Sequence, residues 1–349
     1  MAAEARRRCL LSLLFLGCAA NAQAPEEAAC NRIESVSLQT QGREELARHR
    51  ADAAVRYFEQ ALAACPAARE MLLDLSQAYV AQREFGKAIR AAEQYVSEHS
   101  NSVDGRVMLA NAYFMAQRFT EANDEADRVL RLDHGQPAAL KIKGNIEYFN
   151  GHVEAAKNIF VELIDRHPQD EDAPYMLGRM YYQEGATDLA TGQFERVLKL
   201  NPRSYKAFDN LGLCYESKGD TDKATRSFLT AIKIAQKDAP DYDWAYANLA
   251  DMLIKHGNNQ KGFDAASMAA DRNPASARNF YLGGKALVNL GKYDLALNWL
   301  ERSTSLDPAY PQPLYLLVRV YHKLGMEEKS TEAQRKFLAA QAKAPAVRR

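Results

Sequence analysis

Net charge is missing from this chain: 45 lysines and arginines are matched by 45 aspartates and glutamates over 349 residues. A protein that grips nucleic acid over a broad surface needs a clustered excess of basic residues to neutralise phosphates, so no nucleic-acid partner is expected. Long apolar runs are missing too. After Leu16 no segment comes near the roughly 20 apolar residues that span a bilayer, so no transmembrane segment is expected once the N-terminus is cleaved. Catalytic signatures are absent: there is no G-x-S-x-G, H-E-x-x-H, G-x-x-x-x-G-K-[ST] or G-x-G-x-x-G. Gly284-Lys285 is the nearest approach to a phosphate loop, but the earlier glycine is lacking and Ala286 follows. The seven histidines are scattered, several at turns (His49, His152, His167, His256), and none stands at metal-ligand spacing from cysteines or carboxylates. The expectation is a chain that is not an enzyme and has no metal site and no cofactor.

What is present begins at the N-terminus. Arg6, Arg7 and Arg8 precede an apolar run from Leu10 to Leu16, and Ala20-Asn21-Ala22 supplies an A-x-A cleavage site. This is the pattern of a secretory signal peptide, residues 1–22, so the chain is expected to be exported to the periplasm or beyond, most simply in a bacterial envelope. Two variants compete. Phe15-Leu16-Gly17-Cys18 would make Cys18 a lipid anchor, although Phe15 stands where leucine is wanted, and Arg7-Arg8-Cys9-Leu10-Leu11 is a loose twin-arginine pattern without the usual serine or threonine ahead of it.

The rest of the chain is periodic. Ala54, Ala88, Ala122, Ala156, Ala190 and Ala224 lie 34 residues apart, and after a slip of four the series resumes as Gly262, Ala296 and Ser330. A second small-residue series runs twelve positions ahead: Gly42, Ser76, Ala110, Gly144, Gly178, Gly212, Ala250 and Gly284, broken by Val318. A period of this length marks stacked helix-turn-helix units. Numbered from 1, the nine units start at 35, 69, 103, 137, 171, 205, 243, 277 and 311. Apolar residues at positions 4, 7, 8 and 11 make the first half an amphipathic helix, as in Leu211 and Tyr215. Gly151, Gly185, Gly219, Gly257, Gly291 and Gly325 at position 15 turn the chain back. Positions 20, 24 and 27 mark a second helix, as in Ala224, Phe228 and Ala231, and prolines at position 32, such as Pro168 and Pro202, stop it. Small residues at positions 8 and 20 are expected to face each other where the two helices cross.

The spacing divides the chain into a tail with the start of the first helix (23–34), six units (35–238), a four-residue insertion (239–242), three units with a capping helix (243–343) and a disordered tail (344–349). The insertion reads as a longer second helix in the sixth unit that bends or divides the stack. Cys30 lies just before the first helix and Cys65 at the end of the second, two ends that meet in an antiparallel pair, so a Cys30–Cys65 disulfide is expected in an exported chain. Cys214, on a Leu211/Tyr215 face, reads as a buried small hydrophobe.

This pattern resembles the tetratricopeptide repeat (TPR) family over about residues 31–343, carried by the 34-residue length and the small residues at positions 8, 20 and 27. It departs in the first unit (Gln41, Glu45), the fourth (Lys143, Glu147) and the ninth (Val318, Gln334). The resemblance implies an all-α fold, an α-solenoid wound as a right-handed superhelix of nine repeats, with a ligand groove on the concave face. Carried over position by position, the groove residues are Asn111; Lys141, Asn145 and Tyr148; Tyr175, Arg179 and Tyr182; Lys206 and Asn210; Trp244 and Asn248; Arg278, Tyr281 and Lys285; Tyr315 and Arg319. Aromatics such as Tyr148 and Phe149 have a second reading, as packing between neighbouring repeats. The carboxylate clamp of some relatives begins correctly at Lys141 and Asn145, but Met176 breaks it and Asn210 replaces its closing arginine, so a full clamp is not expected. The implied function is a protein–protein interaction scaffold binding a peptide or partner protein outside the cytoplasm. The alternative is an accessory subunit of an envelope assembly or secretion system, in polysaccharide export, pilus or outer-membrane biogenesis.

Overall fold

Glycine turns and helix-ending prolines leave room for two helices of about four turns in each repeat, and these helices form. The computed structural model describes residues 30–343; the expected signal peptide, Cys18 and the tail 344–349 lie outside them. Eighteen helices and no strand occur among the described residues. They fall into two compact units that divide between Glu125 and Ala126. The first unit holds α1 (Arg32–Ala47), α2 (Ala51–Ala64), α3 (Met71–Ala81), α4 (Phe85–Glu98), α5 (Val103–Met115) and the start of α6 (Phe119–Leu132). The second holds the rest of α6, then α7 (Pro137–Phe149), α8 (Val153–Arg166), α9 (Asp172–Gln183), α10 (Thr187–Leu200), α11 (Tyr205–Ser217) and α12 (Thr221–Asp238). It continues with α13 (Trp244–Lys255), α14 (Asn259–Arg272), α15 (Ala277–Asn289), α16 (Tyr293–Leu306), α17 (Pro311–Lys323) and α18 (Glu327–Lys343).

Helix starts are written locally. Ser102, Ser204 and Asp220 each accept a hydrogen bond from the backbone N–H three residues on, which satisfies one of the orphan donors of the first turn. Pro137 and Pro311 open α7 and α17, where a missing N–H costs nothing. At the turns after α7, α9, α11, α13, α15 and α17, glycine adopts φ between 72° and 83°, the left-handed region that side chains avoid. The first three repeats make the same turn without glycine: His49, Arg83 and Gln117 hold φ of 59°, 64° and 61°.

The small residues sit where two helices touch, but their partners correct the sequence expectation. In four repeats the glycine at position 8 packs against the phenylalanine ring at position 24, one turn beyond position 20. A Cβ added to Gly144 or Gly178 would lie 2.9 Å or 2.8 Å from the ring of Phe160 or Phe194, and Gly42 and Gly212 face Phe58 and Phe228 in the same way. All four rings are fully buried. Direct facing of positions 8 and 20 occurs elsewhere: Ser76 Oγ donates to the Ala88 carbonyl at 2.9 Å, and Ser330 Oγ to the Val318 carbonyl at 3.0 Å. The reason is that position 24 is the first side chain large enough to fill the gap left by the missing Cβ.

The departures in the fourth repeat are polar substitutes for apolar contacts. Lys143, at a position that is leucine in six other repeats, forms an ion pair with Asp127, and Glu147 accepts from the His152 ring at 2.7 Å. The helix α12 has 18 residues, four more than its counterparts α8, α10, α14 and α16. The core runs on across this extra turn: Phe228 and Ala231 of α12, Tyr246 and Met252 of α13, Ala266 of α14 and Leu282 of α15 belong to one buried cluster. Cys30 and Cys65 are joined in a disulfide that ties the start of α1 to the end of α2. Cys214 is fully buried and free, and burial pushes its thiol up to about 11.

Candidate functional site

In the second unit the first helices of successive repeats, α9, α11, α13 and α15, pack each against the next. Equivalent positions therefore line up on one face. Three clefts run along it. The central one, about 490 Å³, is lined by Tyr175, Arg179, Tyr182, Lys206, Asp209, Asn210, Tyr242, Trp244, Asn248 and Arg278. On one side a cleft of about 650 Å³ shares Tyr175 and Lys206 with it and adds Lys141, Asn145, Met176 and Arg203. On the other, a cleft of about 350 Å³ shares Tyr182, Leu213, Asn248 and Arg278 and adds Glu216, Asp251 and Lys255.

A chain of hydrogen bonds forms the floor of the central cleft. The Asp209 carboxylate, 3% exposed, accepts from the Tyr242 hydroxyl at 2.7 Å and from Asn248 Nδ2 at 2.9 Å. Asn248 Oδ1 in turn accepts from Arg278 Nη2 at 2.9 Å, and the Arg278 guanidinium lies 5.4 Å from the Trp244 ring centroid. Tyr242 also packs edge-on against Tyr205, with ring centroids 4.7 Å apart. Burial pushes the Asp209 carboxyl above the usual carboxylate range; the hydrogen bonds from Tyr242 and Asn248 and the nearby Arg278 charge oppose this. Burial, followed by the Asp209 charge, raises the Tyr242 phenol far above its ordinary value. Each polar group in this chain has a partner, which is the condition under which a buried network holds a side chain in one place. What it holds is Arg278, whose guanidinium lies beside the indole of Trp244.

The three clefts differ in charge. In the flanking ones cations are neutralised locally: Lys141 pairs with Asp172 at 2.9 Å and Asp170 at 3.1 Å, Arg203 with Asp238 at 2.7 Å, and Lys255 with Asp251 at 2.9 Å and Glu216 at 3.0 Å. In the central cleft Arg179 lies against the Met176 sulfur at 4.0 Å and Lys206 above the Tyr205 ring at 5.9 Å.

The structure thus brings together eight of the residues singled out in the sequence: Tyr175, Arg179, Tyr182, Lys206, Asn210, Trp244, Asn248 and Arg278. Lys141 and Asn145 line the neighbouring cleft. Others stand apart. Tyr281 packs edge-on against Tyr310 at 5.3 Å, and Lys285 lies 5.9 Å above it and 3.4 Å from Asp251. The Tyr148 hydroxyl is bonded to Gln183, and Tyr315 lies 5.7 Å from Phe337. Arg319 is exposed on α17, and Asn111 belongs to the first unit. Sequence reading missed Tyr242, which stood in the insertion and had no repeat position, and the role of Asp209 as the acceptor at the centre of the network. The signal for Tyr242 was the four-residue slip itself.

Sequence profiles of the tetratricopeptide repeat match at residues 40–100, 73–137 and 143–191, and again at 205–238; a further TPR repeat profile matches at 284–325. This chain belongs to the tetratricopeptide repeat family. Its fold is an all-α solenoid, and its repeats support a protein-interaction scaffold. Among solved structures, the Cut9–Hcn1 hetero-tetramer of the APC/C is similar with a TM-score of 0.64 at 16% identity, over 84% of this chain and 57% of that one. The TPR chain therefore spans a little over half the length of that relative. The MamA protein is similar at 25% identity over 49% of this chain and 94% of that one, with a TM-score of 0.40. A thermophilic TPR protein of Thermus thermophilus, TTC0263, is similar at 18% identity over 52% and 98%, with a TM-score of 0.47. No curated protein matches the chain in sequence.

Proposed function

We propose that this TPR protein is a non-enzymatic scaffold, working outside the cytoplasm, that holds an extended peptide segment of a partner protein along the first-helix face of its second unit. The observation that carries the reading is the run of three contiguous clefts on that face, with Trp244, Tyr182 and Arg278 at its centre. Aromatic and arginine side chains give the largest contact energy per residue at interfaces. Trp244 is 56% exposed, too open to be needed for the core. The extracytoplasmic location is supported by the basic-apolar-small N-terminal pattern and by the Cys30–Cys65 disulfide, which persists in oxidising compartments.

The test is selection of random peptides by the full chain, followed by the Trp244→Ala/Tyr182→Ala variant. The variant should keep its helical circular dichroism and melting temperature and lose the selected peptides. Undiminished recovery of the same peptides would refute the assignment of the face.

A further inference from the structure

On that reading of the face, we propose that the bound segment carries an acidic side chain at an interior position, and that its carboxylate seats in the central cleft between Arg179, Lys206 and Arg278. The geometry separates this cleft from its neighbours. Lys141, Arg203 and Lys255 beside it are each within 3.1 Å of an aspartate or glutamate oxygen. Among the described residues, Arg179, Lys206 and Arg278 are not within ion-pairing distance of any carboxylate. Asp209, the one carboxylate lining this cleft, is buried, and its oxygens are taken by Tyr242 and Asn248. Three cations in one cleft with no carboxylate at ion-pairing distance leave a positive field there, strongest at low ionic strength.

Arg278 is also held in place. Its bond to Asn248 Oδ1 and its position 5.4 Å from the Trp244 ring centroid restrain the guanidinium before any ligand arrives. An arginine fixed in this way loses little freedom on binding and offers its remaining N–H groups as a fork to a carboxylate. The position in the segment follows from the continuity of the clefts. Those on both sides share residues with the central one, so a ligand chain passes through it and continues in either direction. Counting the shared Lys206 and Arg278, each flanking cleft holds as many carboxylates as cations, so neither flank calls for an acidic residue. The occupant is therefore an extended segment with an acidic centre and uncharged flanks, rather than a chain end.

The experiment uses an array of random peptides, acetylated and amidated at their ends, probed with the full chain. Peptides bound by the wild type should share aspartate or glutamate at one interior position, and replacing that residue by its amide should weaken binding about tenfold, the loss of one well-placed charge contact. The Arg179→Glu/Lys206→Glu variant should turn the preference at that position to lysine or arginine, a gain that misfolding cannot produce. If the wild type selects peptides that depend on Trp244 but show no acidic preference, the inference falls and the proposed face stands. If capped peptides fail and only free carboxyl termini bind, capture of a chain end replaces the interior segment. If no peptide of either kind binds, the proposed function itself is overturned.

Discussion

The two units fold the same repeat under different local conditions. At the turn between the helices of a repeat the second unit uses glycine six times, whereas the first puts His49, Arg83 and Gln117 into the same left-handed conformation. Each of those residues costs roughly 1–2 kcal/mol relative to an unstrained backbone. The first unit also carries the disulfide, and on its first-helix face Arg43 forms a bidentate pair with Asp74, which also accepts from Gln39. In the second unit the equivalent face carries three clefts, and in the central one Arg179, Lys206 and Arg278 have no carboxylate at ion-pairing distance. The repeat therefore dictates the backbone path in both units, while the residues that leave the path unchanged decide which unit is braced by a disulfide and which carries the cationic cleft proposed as a binding face.

The comparison can be broken first at the shared contact. Phe58→Ala in the first unit and Phe194→Ala in the second each remove a fully buried ring packed on a position-8 glycine. Each should cost about 3–5 kcal/mol by chemical denaturation. A much smaller loss in either unit would show that the glycine–ring contact is not equivalent in the two. Next comes the disulfide, whose cysteines are 35 residues apart. Its removal by Cys30→Ser/Cys65→Ser should destabilise the first unit by about 4 kcal/mol in the chain-entropy model. Hydrogen exchange should show the loss confined to helices α1–α5, and uniform loss across both units would contradict their separate character.

Smaller effects test the turns and the crossing. Ala156 is fully buried, and Ala156→Leu should overpack the crossing in the second unit by about 1–3 kcal/mol. At the turns the two units should respond with opposite sign. A Cβ added at Gly185 would meet nothing within 4 Å, so Gly185→Ala reports backbone strain alone and should cost about 1 kcal/mol. Arg83→Gly should be neutral or stabilising by up to about 1 kcal/mol, as relief of strain exceeds the entropy lost to a freer unfolded chain. Thermal melts of the pair would sharpen or remove the contrast.

The smallest expected effect is alkaline. Burial, then a hydrogen bond to Glu59 or Glu93, pushes the Tyr79 and Tyr113 phenols up to about 12. A folded pKa above the unfolded value near 10 gives stability that is full below pH 10 and fades as pH rises through 12. Ultraviolet titration should find these two phenols ionising well above pH 10, and Glu93→Gln should bring Tyr113 down.

Much of the fold is legible in the sequence because its signals are local. Gly185 or Pro168 fixes a turn or a stop by its own backbone, and Leu211 and Tyr215 mark a helix face by spacing alone. The 34-residue period then copies this pattern along the chain. The candidate cleft was legible in part, since Tyr182, Lys206, Trp244 and Arg278 stand at inner-face positions. Tyr242 was not, because it sits outside the repeat numbering.

What the sequence determined by itself is the path: helices, turns, the repeat and the face on which equivalent positions recur, all set by interactions within a few residues. Only the tertiary structure decided that position-8 glycines meet the ring at position 24, that Lys143 finds Asp127, and that Asp209, Tyr242 and Asn248 join to hold Arg278. It also decided which cations are paired with carboxylates and which are not. Those pairings depend on distances through space between residues some 16 to 39 apart in the chain, and such distances exist only once the helices have packed.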